Sequence, residues 1–203
     1  MASGESHPAI APGDHRAYML YALEQARKSP PSPKKWCVGA VLVDADKNEV
    51  LGTGYSEELP RDQPEDPGTT HAEHVAFIKA ARKYGKDRWR DIGDLLPENT
   101  ILYTTMEPCL TRKSGNSGCT QKILELRRTL PGGTTDKDKK GPVAIKAVYV
   151  GIREPKGVFV PGQDGLPILE EQGLKVVVME DDEDLKKQIW EVTWQGHDNP
   201  PAM

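Results

Sequence analysis

The sequence predicts an α/β protein, with a sheet of about five strands and helices on both of its faces. Three observations lead there. Two adjacent apolar runs joined by an acidic turn read as a hairpin, and helical and extended patterns alternate after it. Clusters of Pro and Gly fall between these patterns, where connecting loops belong. The 203 residues are 36% hydrophobic, enough for a core that needs no staples.

Residues 1–13, rich in Ala, Pro, Ser and Gly, are expected to be a flexible lead-in. From Asp14 to about Lys28, the residues Met19, Leu20, Leu23 and Ala26 recur at helical spacing, with Asp14 as the N-cap. The prolines of SPPSPKK stop that helix. CVGAVLVD and VLGTGYS, on either side of DADKNE, are the hairpin strands. ELPRDQPEDPGTT is a loop by its prolines and acids, and Thr70 opens a helix carrying Val75, Ile78, Ala81 and Tyr84. TILYTTM is a buried strand stopped at Pro108, and CTQKILELRR is a helix. PGGTTDKDKKG reads as a surface loop. AIKAVYVGI and LKVVVME are strands separated by a short helix around Pro167–Gln172. A last helix starts near Asp182, with acids in the first turn that suit the macrodipole. It carries Leu185, Ile189, Trp190 and Trp194, and Gly196 is placed to end it. Residues 14–195 are expected to form a single domain, because neither half has a core of its own. Residues 196–203 are expected to be a second flexible tail, or else to turn back and help close a pocket.

The net charge is −4 with both signs interspersed, and Lys and Arg form no stripe with interleaved aromatics. No nucleic-acid partner is expected. No apolar run approaches the ~20 residues of a membrane span, and the N-terminal stretch lacks the apolar centre of a secretory signal. No membrane partner is expected either. Three cysteines cannot all pair, so a reducing, cytoplasmic compartment is the simpler expectation. A local cationic pocket for one small anion remains open.

The chemistry gathers at four residues. Singly, each has an ordinary explanation: Thr70 and Glu73 fit a helix capping box, and Cys109 and Cys119 fit small buried side chains. Together, His71, Glu73, then Glu-Pro-Cys109 and Cys119 resemble the zinc deaminase signature. One imidazole and two thiolates make a three-ligand set for Zn2+ that leaves the fourth position to water, as a catalytic site needs. Cys119 at a helix start is favoured as a thiolate. Glu73 is then the catalytic proton shuttle, from water to the substrate's ring nitrogen and departing amine. The two cysteines stand nine residues apart across LTRKSGNSG, where the common deaminase spacing is two. Loop closure costs grow slowly with length, so the insert is free to carry function. It offers Arg112, Lys113, Ser114 and Asn116 to an anion and its hydroxyls, although by composition it also fits a plain solvated loop. His74 is expected to face the core, and Cys37 to be a buried strand residue outside the ligand set.

The blocks SPPSPKKWCVGAVLVDADKNEVLGTGYS, THAEHVAFIKAA, LYTTMEPCLTRKSGNSGC and AVYVGIREP resemble the fungal pyrimidine deaminases of riboflavin biosynthesis, over roughly Asp14 to Met179. The resemblance implies a three-layer α/β/α cytidine deaminase-like fold with a central mixed sheet, usually oligomeric, here a homodimer. It implies hydrolytic release of ammonia from a small phosphorylated pyrimidine, 2,5-diamino-6-ribitylamino-4(3H)-pyrimidinone 5′-phosphate. It matches His71, Cys109 and Cys119 to the zinc ligands and Glu73 to the shuttle. Arg112, Ser114 and Asn116 match the loop that reaches the ribityl phosphate, and Glu154 the acid that reads the pyrimidine's donor edge. Related enzymes carry Asn where Lys35 stands, which gives Lys35 to the phosphate instead. Lys86–Arg90 looks like a local addition. Two rival readings stay open: deamination of a cytidine nucleotide or a tRNA base, and a non-catalytic zinc-stabilised interaction module. The long loop between the cysteines counts against the first, and the presence of Glu73 against the second.

Overall fold

Asp14 caps the first helix as its position predicts: its carboxylate accepts the Ala17 N–H at 2.9 Å, and α1 runs His15–Ala26. The computed structural model describes residues 6–58, 62–63, 66–67, 70–112, 114–130, 141–155, 164–201 and 203. The strands β1 (Gly39–Asp44) and β2 (Glu49–Tyr55) form the expected antiparallel hairpin. The loop after β2 contains a short antiparallel ribbon, β3 (Asp62–Gln63) with β4 (Asp66–Pro67), that its proline content hid. Then follow α2 (Ala72–Lys83), β5 (Thr100–Met106), α3 (Cys119–Glu125), β6 (Ile145–Ile152), α4 (Leu166–Glu171), β7 (Lys175–Val178) and α5 (Glu183–Thr193).

The main sheet has five strands in the order β2-β1-β5-β6-β7, antiparallel from β2 to β5 and parallel from β5 to β7. Helices α1 and α5 pack on one face, and α2 and α3 on the other, which gives the three layers. Two glycines set how closely the helices approach. A Cβ on Gly39 would stand 2.0 Å from Ala22 O of α1, and one on Gly54 would stand 2.2 Å from Ala72 O of α2. Side chains at these strand positions would hold the helix backbones off the sheet. The core between the layers includes Met19 and Leu23 from α1, Leu42 from β1, Phe77 from α2, Leu102 and Tyr103 from β5 and Ile189 from α5. Among the described residues, no helix is long and apolar enough to cross a membrane.

Five expectations need revision. The lead-in is tied to the body over its described part: His7 Nδ1 meets Tyr21 OH at 2.8 Å, and Ile10 packs against the core. Helix α3 ends at Glu125, because the backbone at Leu126 leaves the helical region (ψ 83°) and Arg127 pairs with Val143 ahead of β6. The C-terminal tail is also held. His197 Nε2 lies 3.0 Å from Lys35 O, and its ring stacks on Trp36 with centroids 5.2 Å apart. Gly196 adopts φ +88° one residue later than the C′ position expected of it, since Trp194 is the cap of α5. Lys86–Arg90 gains a place, because Trp89 meets the rings of His74 and Phe77 on α2 at 5.4 and 6.0 Å. His74 therefore faces the core, as expected. The surface-loop expectation for PGGTTDKDKKG falls on residues 131–140, and Lys113 is a single such position; both lie outside the described residues.

Candidate active site

The carboxyl end of β5, the start of α2 and the start of α3 meet at one point. His71 is the N-cap of α2, in extended conformation (φ −82°, ψ 153°), and its side chain makes no cap hydrogen bond. The Thr70–Glu73 capping box does not form. Thr70 Oγ1 is buried with no hydrogen-bond partner among the described residues, and Glu73 sends its carboxyl elsewhere. Its Oε2 lies 3.3 Å from Cys119 Sγ and its Oε1 3.5 Å from Thr104 Oγ1.

Cys109 follows Pro108 beyond β5, and Cys119 is the first residue of α3. Their approach is fixed by backbone. Thr120 donates its N–H to Cys109 O at 3.1 Å and its hydroxyl to Pro108 O at 2.8 Å. The Cys119 N–H points at Cys109 Sγ, 3.4 Å away. Gly118 permits this, since a Cβ there would fall 2.3 Å from Leu110 O and 2.5 Å from Cys109 O.

His71 Nδ1 stands 3.4 Å from Cys109 Sγ and 3.4 Å from Cys119 Sγ, and the three donor atoms lie within 4.8 Å of one another. A tetrahedral zinc with Zn–N about 2.0 Å and Zn–S about 2.3 Å needs N···S edges of about 3.5 Å. The donor set fits that ion in type, number and spacing. Cys37 is buried but stands outside it, with Ser29 O and Gln195 O at 3.8 and 3.9 Å from its sulfur.

The electrostatics are those of a buried cluster that expects a cation. Cys109 is pushed far down, first by its hydrogen bond with Cys119, while the same pairing and burial push Cys119 up. Burial opposes a charge on His71, yet the Cys109 thiolate outweighs it and raises the imidazole, with Arg112 acting against. Glu73 is raised chiefly by burial. Glu154 is half-buried and pushed up to about 7, first by burial and then by the negative charge of Cys109 and Glu107, with Trp36 and His71 acting the other way. Glu154 therefore lies within electrostatic reach of Cys109 and His71.

Of the other residues read from the sequence, Arg112 and Asn116 are half-buried and Ser114 is exposed. Ser114 and Asn116 share a turn: Asn116 N–H meets Ser114 Oγ at 3.4 Å, with Gly115 between them at φ +78°. Lys35, expected to serve the phosphate, sits in the interior. It is buried, and its Nζ donates to Ser29 Oγ at 2.5 Å beside Cys37 Sγ at 3.9 Å. A buried ammonium requires near acceptors, and Ser29 supplies one. Two participants escaped the sequence reading. Glu107 accepts the N–H of Glu154 and that of Gly165, each at 3.3 Å. Trp36 packs against Trp194 and His197 and bears on Glu154. Glu107 stood in plain view within Met-Glu-Pro-Cys, whereas Trp36 reaches the site only through tertiary packing.

The family model described as the cytidine and deoxycytidylate deaminase zinc-binding region matches residues 12–130. The chain belongs to this deaminase family. The match includes all three donors and Glu73, and zinc is the metal of the site. Similar proteins narrow the group. A Schizosaccharomyces pombe protein named diaminohydroxyphosphoribosylamino-pyrimidine deaminase is 35% identical over 152 residues, 74% of this chain. The chain spans 32% of the length of that relative. The crystal structure of Aspergillus oryzae Rib2 deaminase, a C-terminal deletion mutant, superimposes with a TM-score of 0.68 at 32% identity, covering 92% of this chain and 94% of that one. The same Aspergillus protein in complex with DARIPP aligns with a TM-score of 0.67 at 30% identity, over 92% and 93% of the two chains.

For this family member, purified protein should carry one zinc per chain. Chelation should abolish turnover and lower the melting temperature by several degrees, because the ion joins three separate segments. An unchanged melting temperature after complete metal removal would show that the cluster is not a metal site.

Proposed function

We propose that the chain hydrolyses the exocyclic C–N bond of 2,5-diamino-6-ribitylamino-4(3H)-pyrimidinone 5′-phosphate, consuming one water and releasing ammonia and the pyrimidinedione. The observation that carries the deamination is the Glu73 carboxyl, buried 3.3 Å from Cys119 Sγ within the three-donor cluster. The likeness to a deaminase crystallised with DARIPP supports this choice of substrate.

Zinc, when bound by His71, Cys109 and Cys119, supplies the Lewis acidity that makes water a nucleophile near neutral pH. Glu73 has the reach and the burial to take a proton on its carboxylate, deliver it to the ring nitrogen, and then serve the departing amine. Thr104 Oγ1 steadies the opposite oxygen at 3.5 Å. The Glu154 carboxyl faces the site as an acceptor for the amino edge of the pyrimidine. Arg112, with Ser114 and Asn116 on their turn, is assigned to the ribityl phosphate. Lys35 is assigned to the support of this site through Ser29. The same reading carries a single domain over residues 14–195 and a cytoplasmic homodimer, the latter open to sedimentation.

The deciding assay measures ammonia release from the ribityl diaminopyrimidine phosphate beside cytidine, CMP and a tRNA. Turnover of the first alone supports the proposal, turnover of one of the others replaces it, and turnover of none favours a non-catalytic module. Truncating Arg112 or Asn116 to Ala should raise KM for the phosphorylated substrate about tenfold, with little change in kcat or melting temperature. An equal loss of stability and affinity would make the loop structural.

A further inference from the structure

We infer that Glu107 is a positioning residue, whose carboxylate holds Glu154 and the start of α4 in place against the metal donors. It stands two residues before Cys109 and is only 9% exposed. Its own N–H donates to Ile152 O at 2.9 Å, extending the β5–β6 pairing one step past the strands. Its two carboxyl oxygens then divide between two segments. Oε2 accepts from Glu154 N and Oε1 from Gly165 N, at 3.3 Å each. Gly165 in turn lies against α3, where a Cβ would meet Thr120 Oγ1 at 2.3 Å and Pro108 O at 3.2 Å.

One side chain therefore joins the Cys109 segment, the Glu154 segment and the N-terminal end of α4. The choice of a carboxylate follows from its partners. Its two backbone partners are N–H donors, and only a group that accepts at both oxygens satisfies them together, while burial and the neighbouring Asp164 carboxyl push Glu107 up. A glutamine would satisfy one and present its own N–H to the other. Flanking contacts do not replace the clamp. Arg153, next to Glu154, pairs with Asp164 at 3.3 Å and gives its N–H to Glu180 at 3.2 Å, which restrains Arg153 and leaves the Glu154 N–H to Glu107.

The consequence for substrate rests on the reading of Glu154 given above: without the clamp, the acid that meets the pyrimidine's amino edge loses its aim while the zinc donors and Glu73 keep theirs. A displacement of about 1 Å in a positioning group is enough to cost up to about 100-fold in rate.

The test uses the zinc-loaded full chain as Glu107→Gln and Glu107→Ala, with two readouts. Amide hydrogen exchange should speed up about tenfold or more at Glu154 and Gly165, and stay unchanged in the β1–β2 hairpin. KM for the ribityl diaminopyrimidine phosphate should rise about tenfold with kcat less affected, and the Glu107→Gln and Glu154→Gln effects should be non-additive. If exchange at the two amides does not change in Glu107→Gln, the positioning role is overturned whatever the substrate. If exchange changes but the two substitutions act additively on KM, the clamp does not serve substrate reading and the inference fails. If the parent protein turns over none of that pyrimidine, the proposed substrate fails, and the exchange result still decides the clamp. Should Glu107→Ala fold poorly, Glu107→Gln, which preserves shape, carries the test.

Discussion

Glu73→Gln is expected to lower ammonia release about 1,000-fold or more, with one zinc per chain retained and no fall in melting temperature. The substitution preserves shape. The amide carbonyl can still accept from Thr104 Oγ1, now at 3.5 Å from the carboxylate. The helix loses no cap, since Glu73 does not cap it and His71 is the N-cap residue. The folded state relinquishes a carboxyl that burial, and after it the Cys109 charge, push up, so stability has no reason to drop. What disappears is the carboxyl beside Cys119 Sγ that takes a proton and returns it. A residual rate within tenfold of the parent would place the shuttle elsewhere, and Glu154, held near 7, would be the next group to test.

Gly118→Ala should be nearly as damaging by a different route. The added methyl would sit 2.3 Å from Leu110 O and 2.5 Å from Cys109 O, and both obstacles are backbone that cannot rotate away. Either the loop carrying Cys109 or the first turn of α3 has to withdraw, and the two sulfurs part. Zinc affinity should fall at least tenfold, with turnover falling in step with zinc occupancy, while the hydrophobic core remains intact. Titration with a zinc chelator at rising concentration reads this directly. Parent-like zinc retention would mean that the loop yields at no cost, and that the site is less rigid than its contacts indicate.

The sheet and its helices were legible because each rests on local pattern. Asp14 before Met19 and Leu23, the DADKNE turn between two apolar runs, and Pro108 after TILYTTM each mark a boundary that tertiary contacts did not override. The metal donors were legible for another reason: residue type and order suffice when the chemistry admits few alternatives. Four features were not. The Thr70–Glu73 capping box was a sound local inference that lost to the site, which draws the Glu73 carboxyl inward. Lys35 takes its setting from Ser29, six residues back across a proline-rich turn, and Trp36 from Trp194 and His197, far away in the chain; no periodicity reports either pairing. The end of α3 turned on a strand partner, Val143, which competes for the backbone at Arg127. Glu107 sat inside a motif already singled out, but its task depends on two N–H groups that only the folded β6 and α4 bring near.

The parallel pairing of β5 with β6 has a kinetic consequence. His71 and Cys119 are 48 residues apart, and Cys109 reaches Glu154 only after the chain has crossed from β5 to β6. Such distant pairings form late, because a long loop must close before any contact rewards it. The three donors are thus gathered by the finished sheet and not by any fragment of it. Zinc then acts as a latch on the native state: it slows escape from the folded basin and leaves the rate of first arrival at the value of the metal-free chain.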